Sequence, residues 1–150
     1  MKKLGLAFTA ALVAGAGYLV LNIQSPPPQT HSMTPPDTSV IAQGDPISVV
    51  QLPTELSENA RIGKRVFEAK CASCHGTNAA GQNGVAPPLV HKIYEPSHHG
   101  DAAFVLAAKN GVRAHHWRFG NMPPVEGVTD GDVRMVTKYI RELQRANGIN

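Results

Sequence analysis

Cys71-Ala72-Ser73-Cys74-His75 is the stretch on which the interpretation of this chain depends, and it contains both cysteines of the 150 residues. If the stretch is helical, the two cysteines lie on one face about one turn apart. Their sulfurs then face the same way, and an imidazole follows immediately. This arrangement can hold one flat group by two covalent bonds and place a nitrogen ligand at its centre.

The spacing Cys-x-x-Cys-His is typical of the covalent attachment of a c-type haem. We therefore predict one haem c bound through Cys71 and Cys74, with His75 as its proximal iron ligand. A zinc site would need two further ligands at the usual spacing, and the chain has no second pair of cysteines. A thioredoxin-like redox pair would need a βαβ context, and a plain disulfide would leave His75 and Met122 unexplained.

Composition agrees with a small domain that is completed by a cofactor. The chain has four Phe, three Tyr and one Trp, so its own aromatic residues supply little bulk for a core. A buried porphyrin would add apolar volume. The net charge is +3, and no dense basic stripe with interleaved aromatic residues is present, so we expect no binding of nucleic acid.

The first 23 residues are predicted to be a signal anchor or a signal peptide. Lys2 and Lys3 precede a mainly apolar run that is just long enough to span a bilayer. Residues 14–16 offer a small-x-small cleavage site, but cleavage there would leave the apolar residues 18–21 exposed. We therefore favour an anchor, with the rest of the chain on the periplasmic side of the bacterial inner membrane. A soluble periplasmic protein, released by cleavage, is the alternative.

Residues 24–50 are predicted to be a Pro-rich flexible linker, and residues 51–150 the haem domain. The linker carries polar residues without helical or strand periodicity. Its prolines are Pro26, Pro27, Pro28, Pro35, Pro36 and Pro46.

Residues 51–150 are expected to form three helices without strands. Ser57 is predicted to cap the first helix and Asp101 the second, which would run over residues 102–110. Thr129 and Asp132 resemble the capping box that begins a helix. The apolar stripe of that last helix, at helical spacing, consists of Val133, Val136, Tyr139, Ile140 and Leu143.

Met122 is the predicted distal ligand of the haem iron. It lies in Gly120-Asn121-Met122-Pro123-Pro124, where the following prolines favour an extended backbone that displays the side chain. A thioether ligand favours Fe(II) and raises the reduction potential relative to a second imidazole. The other candidates are Met33, in the linker, and Met135, in the last helix.

Several histidines leave alternatives open. One of them could replace Met122 on the iron, or neighbouring pairs could bind copper or zinc at the surface, or all could be ordinary loop residues. Trp117 and Arg118 are candidate hydrogen-bond donors to a haem propionate. The histidines concerned are His91, His98, His99, His115 and His116.

Residues 51–150 resemble a class I cytochrome c. In that family a Gly and an aromatic residue stand eight and four positions before the first haem Cys, and here these are Gly63 and Phe67. Tyr139 matches the aromatic residue of the crossing C-terminal helix. The Pro-x-Leu segment of the family matches Pro87-Pro88-Leu89, which implies that the Pro87 carbonyl accepts a hydrogen bond from the His75 ring and makes Pro87 a cofactor-binding residue.

The resemblance implies an all-α fold, with three to four helices wrapped around one covalent haem. It also implies a one-electron carrier rather than an enzyme, working in a respiratory chain. The expected donor is a quinol-oxidising complex or a dehydrogenase, and the expected acceptor is an oxidase or a reductase. The alternatives are a permanent cytochrome subunit of a larger oxidoreductase, and a haem enzyme or gas sensor with a labile distal ligand.

Overall fold

The computed structural model describes residues 33–150, so the predicted segment 1–23 and the start of the predicted linker lie outside the described residues. Within 33–150, β-structure is limited to two isolated bridges, and the prediction of an all-α fold is confirmed. Among these residues, no helix has the length and apolar character needed to cross a membrane. The α-helices are α1 (Glu58–Lys70), α2 (Ala72–His75), α3 (Asp101–Asn110) and α4 (Asp130–Ala146), with single 3-10 turns at Thr77–Ala79 and Lys92–Tyr94.

The core forms where α1 crosses α4. Gly63 allows the close approach, because a Cβ atom on it would lie 1.9 Å from the carbonyl oxygen of Met135. One turn further on, the rings of Phe67 and Tyr139 pack with their centroids 5.7 Å apart. The predicted apolar stripe of α4 is buried along its whole length, which confirms that prediction.

The helix starts at residues 57 and 129 are as predicted. The Ser57 hydroxyl accepts a hydrogen bond from the Ala60 N–H, at 3.2 Å, and caps α1. The Thr129 hydroxyl accepts from the Asp132 N–H while the Asp132 carboxylate accepts from the Thr129 N–H, so the capping box of α4 is complete. These bonds satisfy backbone donors that the first turn of a helix leaves free.

Asp101 does not cap α3, and that prediction is wrong. The cap is Gly100, and Asp101 is the first residue of the helix. Its carboxylate accepts a hydrogen bond from the Nε of Arg141, at 2.9 Å, because Arg141 is buried and requires a negative partner. The same guanidinium donates to the Tyr94 carbonyl, at 2.7 Å, and to the His99 carbonyl. Arg141 therefore joins α4 to α3 and to the loop before it.

Part of the predicted linker 24–50 makes hydrogen bonds with the loop that follows α2. Gly44 N–H donates to the Asn83 carbonyl, at 2.9 Å, and Ile47 N–H donates to the Ala80 carbonyl, at 3.1 Å. The Asn83 side chain donates to backbone carbonyls on the same stretch. The division at residue 50 stays a prediction, and these bonds show which loop the described end of the segment contacts.

Candidate functional site

The two cysteines lie where α1 passes into α2. The N–H of Cys71 still bonds the Phe67 carbonyl, at 2.8 Å, and the Cys71 carbonyl accepts from the N–H of His75, at 2.9 Å. The two cysteines and the histidine thus occupy one turn. Both cysteines are free thiols, with Cys71 half-buried and Cys74 exposed. Burial, reinforced by the neighbouring Cys74, raises the pKa of Cys71 to about 11, so its thiol stays protonated at neutral pH.

His75 is buried, and one of its two ring nitrogens is engaged. Its Nδ1 lies 2.9 Å from the Pro87 carbonyl oxygen. Because a carbonyl can only accept, Nδ1 carries the proton and Nε2 keeps a free lone pair. Burial lowers the pKa of His75, against the opposing effect of the Pro87 bond, so the ring is neutral at neutral pH. A neutral, oriented imidazole is the form that binds a metal.

The loop 76–90 places Pro87 by close backbone packing. Gly81 lies at φ +74°, and a Cβ atom there would meet the backbone nitrogen of Pro88 at 2.5 Å. Its N–H donates to the His75 carbonyl, at 2.8 Å. A residue with a side chain at this position would therefore push the Pro87 carbonyl away from the imidazole.

Gln82 is a positioning residue that the sequence analysis missed. Its side-chain amide donates to the carbonyl of Ser73, at 2.9 Å, and of Ala72, at 3.3 Å. It thereby fixes the turn that carries the two thiols. No periodic pattern or motif marks a glutamine in an irregular loop, so the only available signal was its place among the glycines of that loop.

Met122 lies in a separate loop, at a point held by backbone pairing. Its N–H and C=O both bond Val112, each at 2.9 Å. Just inside this pair, the Asn121 side chain accepts from the Ala114 N–H, at 2.9 Å. Gly111, at φ +76°, makes room for the pairing, since a Cβ atom on it would lie 2.6 Å from the Met122 carbonyl oxygen. The half-buried Met122 side chain is thus presented by a closed loop.

The buried indole N–H of Trp117 fits a cofactor that carries an acidic group. Its side chain is buried, and its indole N–H has no hydrogen-bond partner among the described residues. Burial raises the pKa of the nearby Tyr94 hydroxyl and the indole of Trp117 opposes this rise, but the two groups do not meet hydrogen-bond geometry. A buried donor without a partner destabilises a fold by about 1–3 kcal/mol, so an acceptor such as a propionate oxygen is the expected complement. Arg118, the other candidate donor, is exposed.

The remaining histidines do not share one environment. The Nδ1 of His91 accepts from the Ile93 N–H, at 3.2 Å, and the ring packs edge-on against Trp117, which gives His91 a local structural role. The other four, His98, His99, His115 and His116, lie with their rings near one another.

The donor set as a whole matches a covalent haem. Two thiols, a neutral imidazole with a free Nε2 and a displayed thioether can hold such a cofactor, and the unpartnered indole N–H can donate to an acidic group on it.

Comparison with known proteins identifies the family to which these residues belong. Residues 60–144 match the protein family described as Cytochrome c. The chain is 33% identical over 98 residues to the Cbb3-type cytochrome c oxidase subunit FixP of Bradyrhizobium sp. (strain ORS 278), in an alignment that covers 64% of this chain and 31% of that protein. It is 34% identical over 87 residues to the Cbb3-type cytochrome c oxidase subunit CcoP of Rubrivivax gelatinosus, covering 57% and 26%. The chain thus spans about a quarter to a third of the length of these relatives.

Proposed function

The chain belongs to the cytochrome c family, and on that premise we propose that it carries single electrons through one haem c, bound covalently to Cys71 and Cys74 and ligated by His75 and Met122. The observation that carries the proposal is the His75 imidazole. It follows the two thiols directly, is buried, and keeps Nε2 free because Nδ1 donates to the Pro87 carbonyl.

When bound, haem c supplies an Fe(III)/Fe(II) couple, and the protein residues determine its surroundings. Cys71 and Cys74 provide the thiols for two thioether bonds from one turn of the chain. Pro87 fixes the orientation of His75 and holds the proton on its Nδ1, which raises the basicity of the ligand nitrogen. The backbone pairing between Val112 and Met122 positions a thioether donor independently of its side-chain contacts.

Retention of both ligands in both oxidation states would favour electron transfer over catalysis. A residue that stays bound blocks the iron position that peroxide, oxygen or nitric oxide would occupy. The rigid supports of His75 and Met122 also limit the rearrangement that accompanies a change in charge. The backbone bonds that hold His75 and Met122 therefore support a carrier rather than a haem enzyme or gas sensor.

The test compares two matched methionine substitutions in the haem-loaded chain. Met122→Leu should abolish the weak long-wavelength charge-transfer band from methionine sulfur to ferric iron, whereas Met135→Leu, within α4, should retain it. A wild-type protein that is low-spin without this band would assign the distal position to a histidine. A high-spin wild type would instead favour an enzyme or sensor with an open iron position.

A terminal oxidase is the acceptor that we propose, because both curated relatives are named as subunits of cbb3-type cytochrome c oxidases. Their names also favour the second candidate, in which the chain is a permanent subunit of such a complex. In either case we propose that residues 1–23 anchor the haem domain on the periplasmic side of the inner membrane. That placement rests on the sequence of the segment.

Mild-detergent extraction followed by chromatography at increasing salt separates the two candidates. A permanent subunit should elute with the oxygen-reducing activity at a constant haem ratio. A free carrier should elute alone and should be oxidised when purified oxidase is added. If purified oxidase leaves the ferrous protein reduced, and no oxidase elutes with the chain, the proposed acceptor is wrong.

A further inference from the structure

Four histidines from two loops form a cluster that the haem site does not use. His98 and His99 precede α3, and His115 and His116 lie in the loop that leads to Met122; together they are called the histidine cluster below. The Nε2 atoms of His98 and His116 are 3.1 Å apart. One ring nitrogen from each of His98, His99 and His116 lies within 4.8 Å of the other two.

Backbone carbonyls orient two of these rings. The Nδ1 of His99 lies 2.6 Å from the Ile93 carbonyl oxygen, and the Nδ1 of His115 lies 2.9 Å from the Arg113 carbonyl oxygen. Each Nδ1 therefore carries its proton, and each Nε2 keeps its lone pair. A metal-binding histidine is usually held in this way, with its second nitrogen donating to a carbonyl or carboxylate.

The cluster favours neutral imidazoles, which are the form that binds metals. Burial lowers the pKa of His99 and the bond to the Ile93 carbonyl opposes this, while His98, His115 and Arg141 lower the pKa further as positive charges. Partial burial and the other three histidines lower the pKa of His116, against the opposing effect of a bond to the Met33 backbone. An N–H···N bond between His98 and His116 accounts for their short contact, but it does not account for two more imidazoles beside it.

The distances are close to those of a metal centre. A metal–nitrogen bond of about 2.0–2.1 Å places neighbouring ligand nitrogens about 2.9 Å apart in a square-planar site and about 3.3 Å apart in a tetrahedral one. The 3.1 Å between His98 and His116 falls between these values. The His99 nitrogen lies within 4.8 Å of the other two, so completing the set of three requires a shift of at most about 1.5 Å.

We propose that His98, His99 and His116 bind one divalent transition-metal ion of the kind that prefers imidazole, Cu²⁺ or Zn²⁺, with water or His115 in the remaining position. Imidazole ligands without carboxylates or thiolates favour these ions over Mg²⁺ and Ca²⁺. Cu²⁺ should bind more tightly than Zn²⁺, as the order of divalent-metal affinities predicts. Exposure of His98 gives the ion a path from solvent.

A metal at this position would join the loop before α3 to the loop that carries Met122. His116 stands six residues before Met122 in the chain. The ion would therefore act as a crosslink between two irregular segments, and binding should raise the melting temperature of the haem-loaded protein.

The experiment titrates the haem-loaded full chain with Zn²⁺ alone and with Cu²⁺ alone in a non-chelating buffer, by calorimetry. The expected result is one tight site per chain, weakened at least about tenfold in the double variant His98→Gln/His116→Gln. The matched control is His91→Gln, which removes a described imidazole that packs against Trp117 outside the cluster and should leave the affinity unchanged. An unaltered visible spectrum of each variant shows that it is folded and that its haem ligands are retained.

Electron paramagnetic resonance of the Cu²⁺ form adds a direct readout, with hyperfine splitting from three or more nitrogens expected. Affinity retained by the double variant would overturn the proposal, and so would an equal loss in His91→Gln. The proposal also fails if the double variant changes the haem spectrum, because one of these histidines would then be an iron ligand. None of these results depends on which protein accepts the electron.

Discussion

Replacing Gly63 with Ala should separate the two helices that form the core. A Cβ atom at this position would lie 1.9 Å from the Met135 carbonyl oxygen and 2.8 Å from the Val136 nitrogen, whereas ordinary contacts begin at 3.4 Å. Both obstructing atoms belong to the α4 backbone, which cannot rotate away as a side chain can. The helices must therefore move apart by about 1.5 Å, the difference between 3.4 and 1.9 Å.

The expected loss of stability follows from two opposing effects. Overfilling a packed core typically destabilises by about 1–3 kcal/mol, and a clash between two helical backbones belongs at the upper end, about 3 kcal/mol. Separation also weakens dispersion contacts along the crossing, including the Phe67 and Tyr139 rings. Against this, Ala is favoured over Gly in a helix by about 1 kcal/mol. The net loss should be about 2 kcal/mol, or about 8 °C in melting temperature.

Guanidinium unfolding of the haem-loaded protein, followed by far-UV circular dichroism, measures this loss. Gly131→Ala is the matched control, because its Cβ atom would meet nothing nearer than the Thr129 hydroxyl, at 3.5 Å. That variant should remain within about 1 kcal/mol of the wild type, on the stabilising side. If Gly63→Ala is as stable as the control, the close approach of α1 and α4 does not depend on the absence of a side chain at residue 63. The reasoning is then refuted.

Three further predictions concern side chains whose partners are described. Arg141→Met should lower the free energy of unfolding by about 3 kcal/mol, because the buried Gln144 side chain and the partly buried Tyr94 carbonyl lose their donor. Lys138→Met should change it by less than about 0.5 kcal/mol, because that ammonium is exposed; equal losses in chemical denaturation would contradict this. Asn147→Ala should lower the free energy of unfolding by about 1–2 kcal/mol and speed hydrogen exchange at the Gln51 amide, because the Asn147 side chain accepts a hydrogen bond from that amide. An unchanged exchange rate would refute this prediction. The backbone N–H and hydroxyl of the helix N-cap lower the pKa of Asp132, so its stabilising effect is complete above about pH 5 and lost as pH falls through the folded-state pKa. Asp132→Asn should therefore flatten stability against pH below about pH 5, and parallel curves would disprove it.

The sequence predicted correctly those structural features that depend on residues close together in the chain. The capping box at Thr129 and the stripe of α4 depend on neighbours within a few turns, so the pattern alone was sufficient. The turn from Cys71 to His75 is equally local. The contact between His75 and Pro87, twelve residues apart, was implied by the resemblance to a family and is present in the structure.

Long-range partners explain what the sequence did not predict. Asp101 has the chemistry of an N-cap, but Arg141, 40 residues later, takes its carboxylate, and no local pattern indicates that competition. Similarly, Asn83 bonds residues 38–45, which a Pro-rich composition suggested to be a spacer. The histidine cluster is formed by two loops that are distant in sequence. The sequence showed two pairs of histidines but not that the pairs lie close together in space.

The crossing of α1 and α4 orders events during synthesis of the chain. Gly63 and Met135 are 72 positions apart, so closing the loop between them opposes folding by roughly 4 kcal/mol of chain entropy. Ala146, the last residue of α4, emerges 71 residues after His75. At about 5–20 residues per second, that interval is roughly 4–14 s. The two thiols and the imidazole are therefore complete well before the helix that seals the core exists.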